Sequence, residues 1–170
     1  ADLRDELNGE RFSHGTVIRR ALDLGVGRVI QIGVRAFSLE EKVLIESEER
    51  VQTWFAKDLL AVSDGNSEWK RMISSLTEIT GPVWLTFDVD GLDGSLVPST
   101  GTPVPGGLSH WGSVEVIERL FSSEKCELIG ADVNEIVPGT EGNLTQFSAA
   151  LIATKIVSCY IANSSNGKGE

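Results

Sequence analysis

PVWLTFDVDGLD, residues 82–93, is the stretch that decides the fold. Pro82–Val89 is the most apolar strand candidate in the chain, and three carboxylates, Asp88, Asp90 and Asp93, arrive at its end. In open parallel sheets, ligand sites lie beyond the carboxyl ends of strands. Residues i and i+2 share one face of a strand, so Asp88 and Asp90 are expected to project together there. Two adjacent anions raise each other's proton affinity unless a cation neutralises them. A hard divalent metal ion is the natural partner for such oxygens.

Helical and extended periodicities alternate on either side of this stretch. Upstream, Gly15–Leu24 has helical spacing with Gly25 at the capping position, and Arg28–Val34 reads as a short buried strand. Ser38 and Glu41 form a capping-box pattern that opens a charged helix running to about Arg50. Val51–Phe55 reads as a strand, and Ser67–Ile79 as an amphipathic helix with Trp69, Met72, Ile73 and Leu76 on one face. Downstream comes the turn-rich loop Gly91–Leu108, then a helix capped by Ser109 that runs to Phe121, and a strand over Cys126–Val133. A last helix spans about Leu144 to Ile161, followed by a frayed polar tail. Short apolar strands alternating with helices predict an α/β fold with a parallel sheet.

Composition narrows the function classes. The 25 acidic and 15 basic residues leave a formal net charge of -10, which disfavours nucleic-acid phosphates and favours small cationic partners. Cys126 and Cys159 sit far apart in apolar stretches and read as buried free thiols, compatible with a cytoplasmic location. No apolar run approaches the roughly 20 residues of a membrane span, and no signal peptide opens the chain. His110 reads as structural at a helix start, and Trp54, Trp69, Trp84 and Trp111 as core or interface aromatics.

Two other readings of the Asp cluster are weaker. An EF-hand loop starting at Asp88 would need an oxygen ligand where Leu92 stands and glycine where Asp93 stands. A haloacid-dehalogenase-like phosphatase would use Asp88 as nucleophile and Asp90 as acid/base. That domain, however, places this strand near its beginning, and a Thr-Leu pair follows the glycine rather than Leu92-Asp93.

The longer run Thr86–Ser109, TFDVDGLDGSLVPSTGTPVPGGLS, resembles the ureohydrolase signature of arginases and agmatinases, with Gly94 where proline is common. Three further segments agree in order and spacing. Ser13-His14-Gly15-Thr16 with Arg19-Arg20-Ala21 is similar to the agmatinase Ser-His stretch. Ile32-Gly33-Val34-Arg35 is similar to the family's next strand end. Asp132-Val133-Asn134-Glu135-Ile136-Val137-Pro138 is similar to its Asp-x-x-Glu-x-x-Pro. Ala1-Asp2-Leu3-Arg4-Asp5-Glu6 resembles the end of the family's manganese motif, Asp-Ala-His-x-Asp, and its agmatinase continuation.

The resemblance implies a three-layer α/β/α enzyme with a mainly parallel sheet, here lacking its N-terminal part. Residues 1–162 would be the C-terminal part of a single ureohydrolase domain, and 163–170 a polar tail. It implies two Mn²⁺ ions, for which Asp2, Asp88 and Asp90 are the ligands present. His14 would pass protons or orient the substrate, Glu135 would pair with the guanidinium, and Thr102 would contact the substrate. The expected reaction is manganese-dependent hydrolysis of a guanidino compound to urea and an amine. Agmatine is favoured by the agmatinase-like Leu3–His14. Family resemblance also implies a homo-oligomer, a trimer or hexamer, with neither nucleic acid nor membrane as partner. The family sheet sets the strand leading into Asp-Ala-His between the Asp88 strand and Arg28–Val34. Without it, Val83, Leu85, Ile30 and Ile32 would lie on exposed faces and the chain alone would be a non-catalytic fragment. Taken singly, Asp2 would be a frayed terminal residue.

Overall fold

A computed structural model of the chain describes residues 1–138 and 142–166, which form two compact units, Ala1–Leu59 and Leu60–Glu170. The first holds α1 (Val17–Asp23), β1 (Val29–Val34), α2 (Leu39–Ser47), β2 (Val51–Phe55) and the short α3 (Ala56–Leu59). The second holds α4 (Ser67–Leu76), β3 (Gly81–Asp88), α5 (His110–Phe121), β4 (Cys126–Asn134) and α6 (Leu144–Asn166). Both strand pairs, β1 with β2 and β3 with β4, are parallel, as the alternating pattern predicts.

Local chemistry sets most of these boundaries. In the capping box of α2, the Ser38 hydroxyl accepts the Glu41 N–H and the Glu41 carboxylate accepts the Ser38 N–H, satisfying two donors that the first helical turn cannot. That helix ends at Ser47 rather than near Arg50, because the chain must already be extended at Val51 to enter β2. Ser109 caps α5 by accepting the Gly112 N–H at 3.0 Å.

In the first unit, buried Leu3, Leu22 and Val51 form the core, with Ile18, Val29, Leu44 and Ile45 packed against them. The second unit lays one face of the β3–β4 pair on α5 and α6. Val114, Ile117, Phe121, Ile152 and Ile156 are buried there beneath Leu85, Phe87, Leu128 and Val133. Burying each such side chain contributes about 1.5–3 kcal/mol. A neighbouring cluster, Val89, Leu92, Val97 and Ala149, anchors the start of the long loop.

Among the described residues each sheet has only two strands, which accords with the expected unpaired edges. The apolar faces differ from expectation. Ile30, Ile32, Val83 and Leu85 are half-buried, and β1 as a whole is half-buried rather than buried. Trp84 and Ile129 are exposed instead, on the β3–β4 face opposite the one that packs on α5 and α6. Trp84 and Trp111 are therefore not core residues. The Trp84 indole lies over Gly130 and donates to Asp132 Oδ2 at 2.6 Å. Trp54 is buried as expected, and Trp69 donates to Glu115 at 3.0 Å from α4 to α5. Cys126 and Cys159 are free but only half-buried, and this burial pushes both thiols above the ordinary range.

Helix α6 corrects two further expectations. It runs helical through Asn166 rather than ending near Ile161, while 167–170 of the expected polar tail lie outside the described residues. Its segment Leu144–Ser164 is long and apolar enough to cross a membrane by length and composition, contrary to the reading of no such run. In this fold, Ala149, Ile152 and Ile156 of that segment pack into the second unit's core.

Candidate active site

In the second unit β3 delivers Asp88 to its carboxyl end, and the chain folds at once into a single 3-10 turn, Val89–Gly91. Asp88 caps that turn through Oδ1, which accepts the Asp90 N–H at 2.9 Å. Val89, between the two aspartates, is fully buried and pins the turn to the core, while Asp88 and Asp90 are half-buried. Asp90 Oδ2 accepts the Thr102 hydroxyl at 2.8 Å, which brings the two sequence-predicted residues together across 12 positions.

The third carboxylate of the motif has a different job. Asp93 Oδ1 accepts the Ser95 N–H and hydroxyl, and Oδ2 accepts the N–H groups of Gly106 and Gly107 at 2.7 and 3.3 Å. The Ser95 hydroxyl, then the Ser95 and Gly106 backbone donors, hold its carboxyl down to about 2. One side chain thus closes a loop of more than a dozen residues. Gly107 is required for that closure, because a Cβ there would stand 2.5 Å from the Leu92 carbonyl. At Gly94, where the resemblance leads one to expect proline, the N–H donates to Val104 O at 3.1 Å, a bond proline cannot make.

The same loop reaches the end of β4. The Thr100 hydroxyl donates to the Glu135 carbonyl at 2.8 Å, and Val137 N–H donates to Ser99 O. A Cβ on Gly101 would lie 3.6 Å from Glu135 Oε2, so the carboxylate sits directly beside this loop. In register Asp88 faces Asn134, the residue before Glu135. Asp90, Thr102 and Glu135 are therefore gathered around residues 99–102, and Asp88 is tied to them through the Asp90 N–H. Sequence reasoning missed Thr100 and Asp93, although the Thr-Gly-Thr and Gly-Leu-Asp patterns carried both.

Asp2 and His14 belong to the first unit. Asp2 is not frayed: its carbonyl accepts the N–H groups of Ile18 and Arg19, and Leu3 is completely buried. The Ala1 carbonyl accepts from Gln31 at 2.6 Å, and Arg4 N–H donates to Gly15 O beside His14. His14 begins a 3-10 turn, is exposed, and lies 3.4 Å from the Ser13 hydroxyl through Nδ1. Four described non-glycine residues have positive φ: Asn8 and Asn66, the type that tolerates it, and Asp2 and Glu135 at 57° and 62°. Two of the residues singled out for chemistry thus occupy left-handed backbone.

Asp88 and Asp90, linked by the Asp90 N–H bond to Asp88 Oδ1, carry carboxylate oxygens, donors of the right chemistry for a hard divalent cation such as Mn²⁺. Among the described residues, no three His, Cys, Asp or Glu side chains form one cluster. The pair fits as part of a metal site without completing one.

A family model described as the arginase family matches residues 1–159. The chain is 36% identical over 156 residues to an agmatinase of Pyrococcus horikoshii, covering 92% of this chain and 51% of that protein. It is 34% identical over 157 residues to an N(1)-aminopropylagmatine ureohydrolase of Synechocystis sp., covering 92% and 48%. It resembles the solved agmatine ureohydrolase of Thermoplasma volcanium with a TM-score of 0.77 and 29% identity, over 93% of this chain and 51% of that one. The chain therefore spans about half the length of the curated relatives it matches.

Proposed function

The chain belongs to the arginase family, and on that premise we propose that the protein it represents hydrolyses a C–N bond of a guanidino compound, releasing urea and an amine. The observation that carries the reading is the loop at residues 99–102, which holds Asp90 through Thr102 and Glu135 through Thr100. One short segment joins a metal-type carboxylate pair to a carboxylate suited to a guanidinium.

Each residue has a stated task. Asp88 and Asp90 would hold Mn²⁺ in the second unit, and Asp2 in the first is read as a metal ligand on the family resemblance. When bound, the ions supply Lewis acidity that brings the pKa of a water from about 15.7 toward about 7 and so provides a nucleophile at neutral pH. Glu135 accepts N–H groups of the planar guanidinium and orients its carbon. Thr102 has its proton committed to Asp90, so toward substrate it offers only lone pairs, which suits a cationic donor. On the family resemblance, His14 would pass a proton to the departing amine.

Agmatine, converted to putrescine, is the proposed substrate. The agmatinase-like Leu3–His14 and the net charge of -10 support a cationic substrate. We also read the protein as a cytoplasmic homo-oligomer. The phosphatase alternative is set aside, because the arginase family match covers 159 residues rather than the Asp motif alone. The 170 residues alone are read as non-catalytic, since of the metal ligands that the family resemblance implies they carry only Asp2, Asp88 and Asp90. A urea assay with Mn²⁺ across agmatine, arginine, guanidinobutyrate and guanidinopropionate tests the reading. The full-length protein should prefer agmatine and turn over arginine far more slowly. Preference for arginine, or phosphate release from phosphomonoesters, would reject it.

A further inference from the structure

Glu41 is 2% exposed, a buried carboxylate that the proposed chemistry does not use. Closing the capping box of α2 occupies its Oε2, which accepts the Ser38 N–H at 2.7 Å. Its other oxygen, Oε1, accepts the Leu3 N–H at 3.1 Å from 38 residues away, and the Arg4 guanidinium stands 3.6 Å from Oε2. A helix cap alone needs neither contact.

Leu3 follows Asp2, whose backbone is left-handed and whose carbonyl is held by the first turn of α1. The Ala1 carbonyl on the other side is held by Gln31 of β1. Three elements therefore grip this segment, and Glu41 supplies a charged, buried acceptor to it. We propose that Glu41 is a positioning residue for Asp2: its carboxylate clamps the Leu3 N–H and fixes the backbone from which the Asp2 carboxylate departs. This rests on the reading of Asp2 as a metal ligand.

The test compares Glu41→Ala, Glu41→Gln, Ser38→Ala and Asp2→Asn in the full-length protein. The readouts are the Mn²⁺ dissociation constant and the Tm without metal. Glu41→Ala should weaken Mn²⁺ binding about 10- to 100-fold, the range for residues that orient metal ligands, with urea release largely restored at saturating Mn²⁺. Glu41→Gln, which keeps one oxygen for Leu3, should lose less. Ser38→Ala should lower Tm while leaving Mn²⁺ binding within about twofold, because it breaks the cap and spares the Leu3 bond. If Asp2→Asn weakens binding but neither Glu41 variant does, the positioning role is overturned and the ligand reading stands. Equal Mn²⁺ losses in Ser38→Ala and Glu41→Ala would reduce Glu41 to a helix cap. If Asp2→Asn leaves Mn²⁺ binding unchanged, the ligand reading falls and the positioning role falls with it. Should Glu41→Ala fail to fold, Glu41→Gln against Ser38→Ala decides between the same outcomes.

Discussion

The segment carrying Asp2 and the loop after Asp88 are held by the same device at different range. In each, one carboxylate gathers backbone N–H groups and keeps a neighbouring candidate ligand in place. In the loop that carboxylate is Asp93, three residues from Asp90, and its partners Gly106 and Gly107 lie further along the same loop. In the N-terminal segment it is Glu41, which comes from another secondary structure element. The difference separates robustness from dependence. The loop carries its own brace, whereas the Asp2 segment borrows its buried carboxylate from α2.

The sharpest way to break this comparison is to remove a proposed ligand rather than a brace. In the full-length protein Asp88→Asn should lower urea release by at least about 100-fold and deplete Mn²⁺ after dialysis, since a neutral amide cannot balance a dication. Glu135→Gln should lower turnover on the order of 100-fold with Mn²⁺ content intact. Equal metal loss in both variants would show the roles to be misassigned.

Attacking the loop's closure should come next in size. Gly107→Ala forces a Cβ against the Leu92 carbonyl and should cost about 1–3 kcal/mol, read as a shift in the denaturation midpoint. An unchanged midpoint would mean that the loop closes without this contact. The smallest effect concerns the brace itself. The Asp93 carboxyl sits at about 2 in the folded chain, below the ordinary value of about 4. Its stabilisation is therefore complete above about pH 4 and fades as pH falls toward 2. The stability gap between wild type and Asp93→Asn should be widest at neutral pH and close over that window. A gap independent of pH would deny Asp93 its charge-dependent role.

How far the sequence could be read depends on the same distinction of range. Capping by Ser38 and Ser109 and the strand into Asp88 were legible because their causes lie within a few residues. The Asp88/Asp90 pair stood out by its spacing at the end of an apolar strand and before a Pro/Gly-rich loop, and Glu135 by its place in a family pattern. The bracing by Glu41 was not legible, since nothing near Glu41 announces a partner at Leu3. Nor was the exposure of Trp84 and Trp111, because hydrophobicity does not tell which face a neighbour will cover. The span of α6 was underestimated because its serines, threonines and alanines interrupt the apolar run without ending the helix.

The left-handed backbone at Asp2 and Glu135 has a consequence for anyone seeking to improve this protein. Aspartate tolerates that conformation, whereas a glutamate there costs about 1–3 kcal/mol that glycine would relieve. Directed evolution that rewards thermal tolerance alone should therefore enrich glycine at 135 and, less strongly, at 2. Its winners would melt later and have surrendered the carboxylates proposed for chemistry, so these two positions must be locked in any library screened without a urea readout.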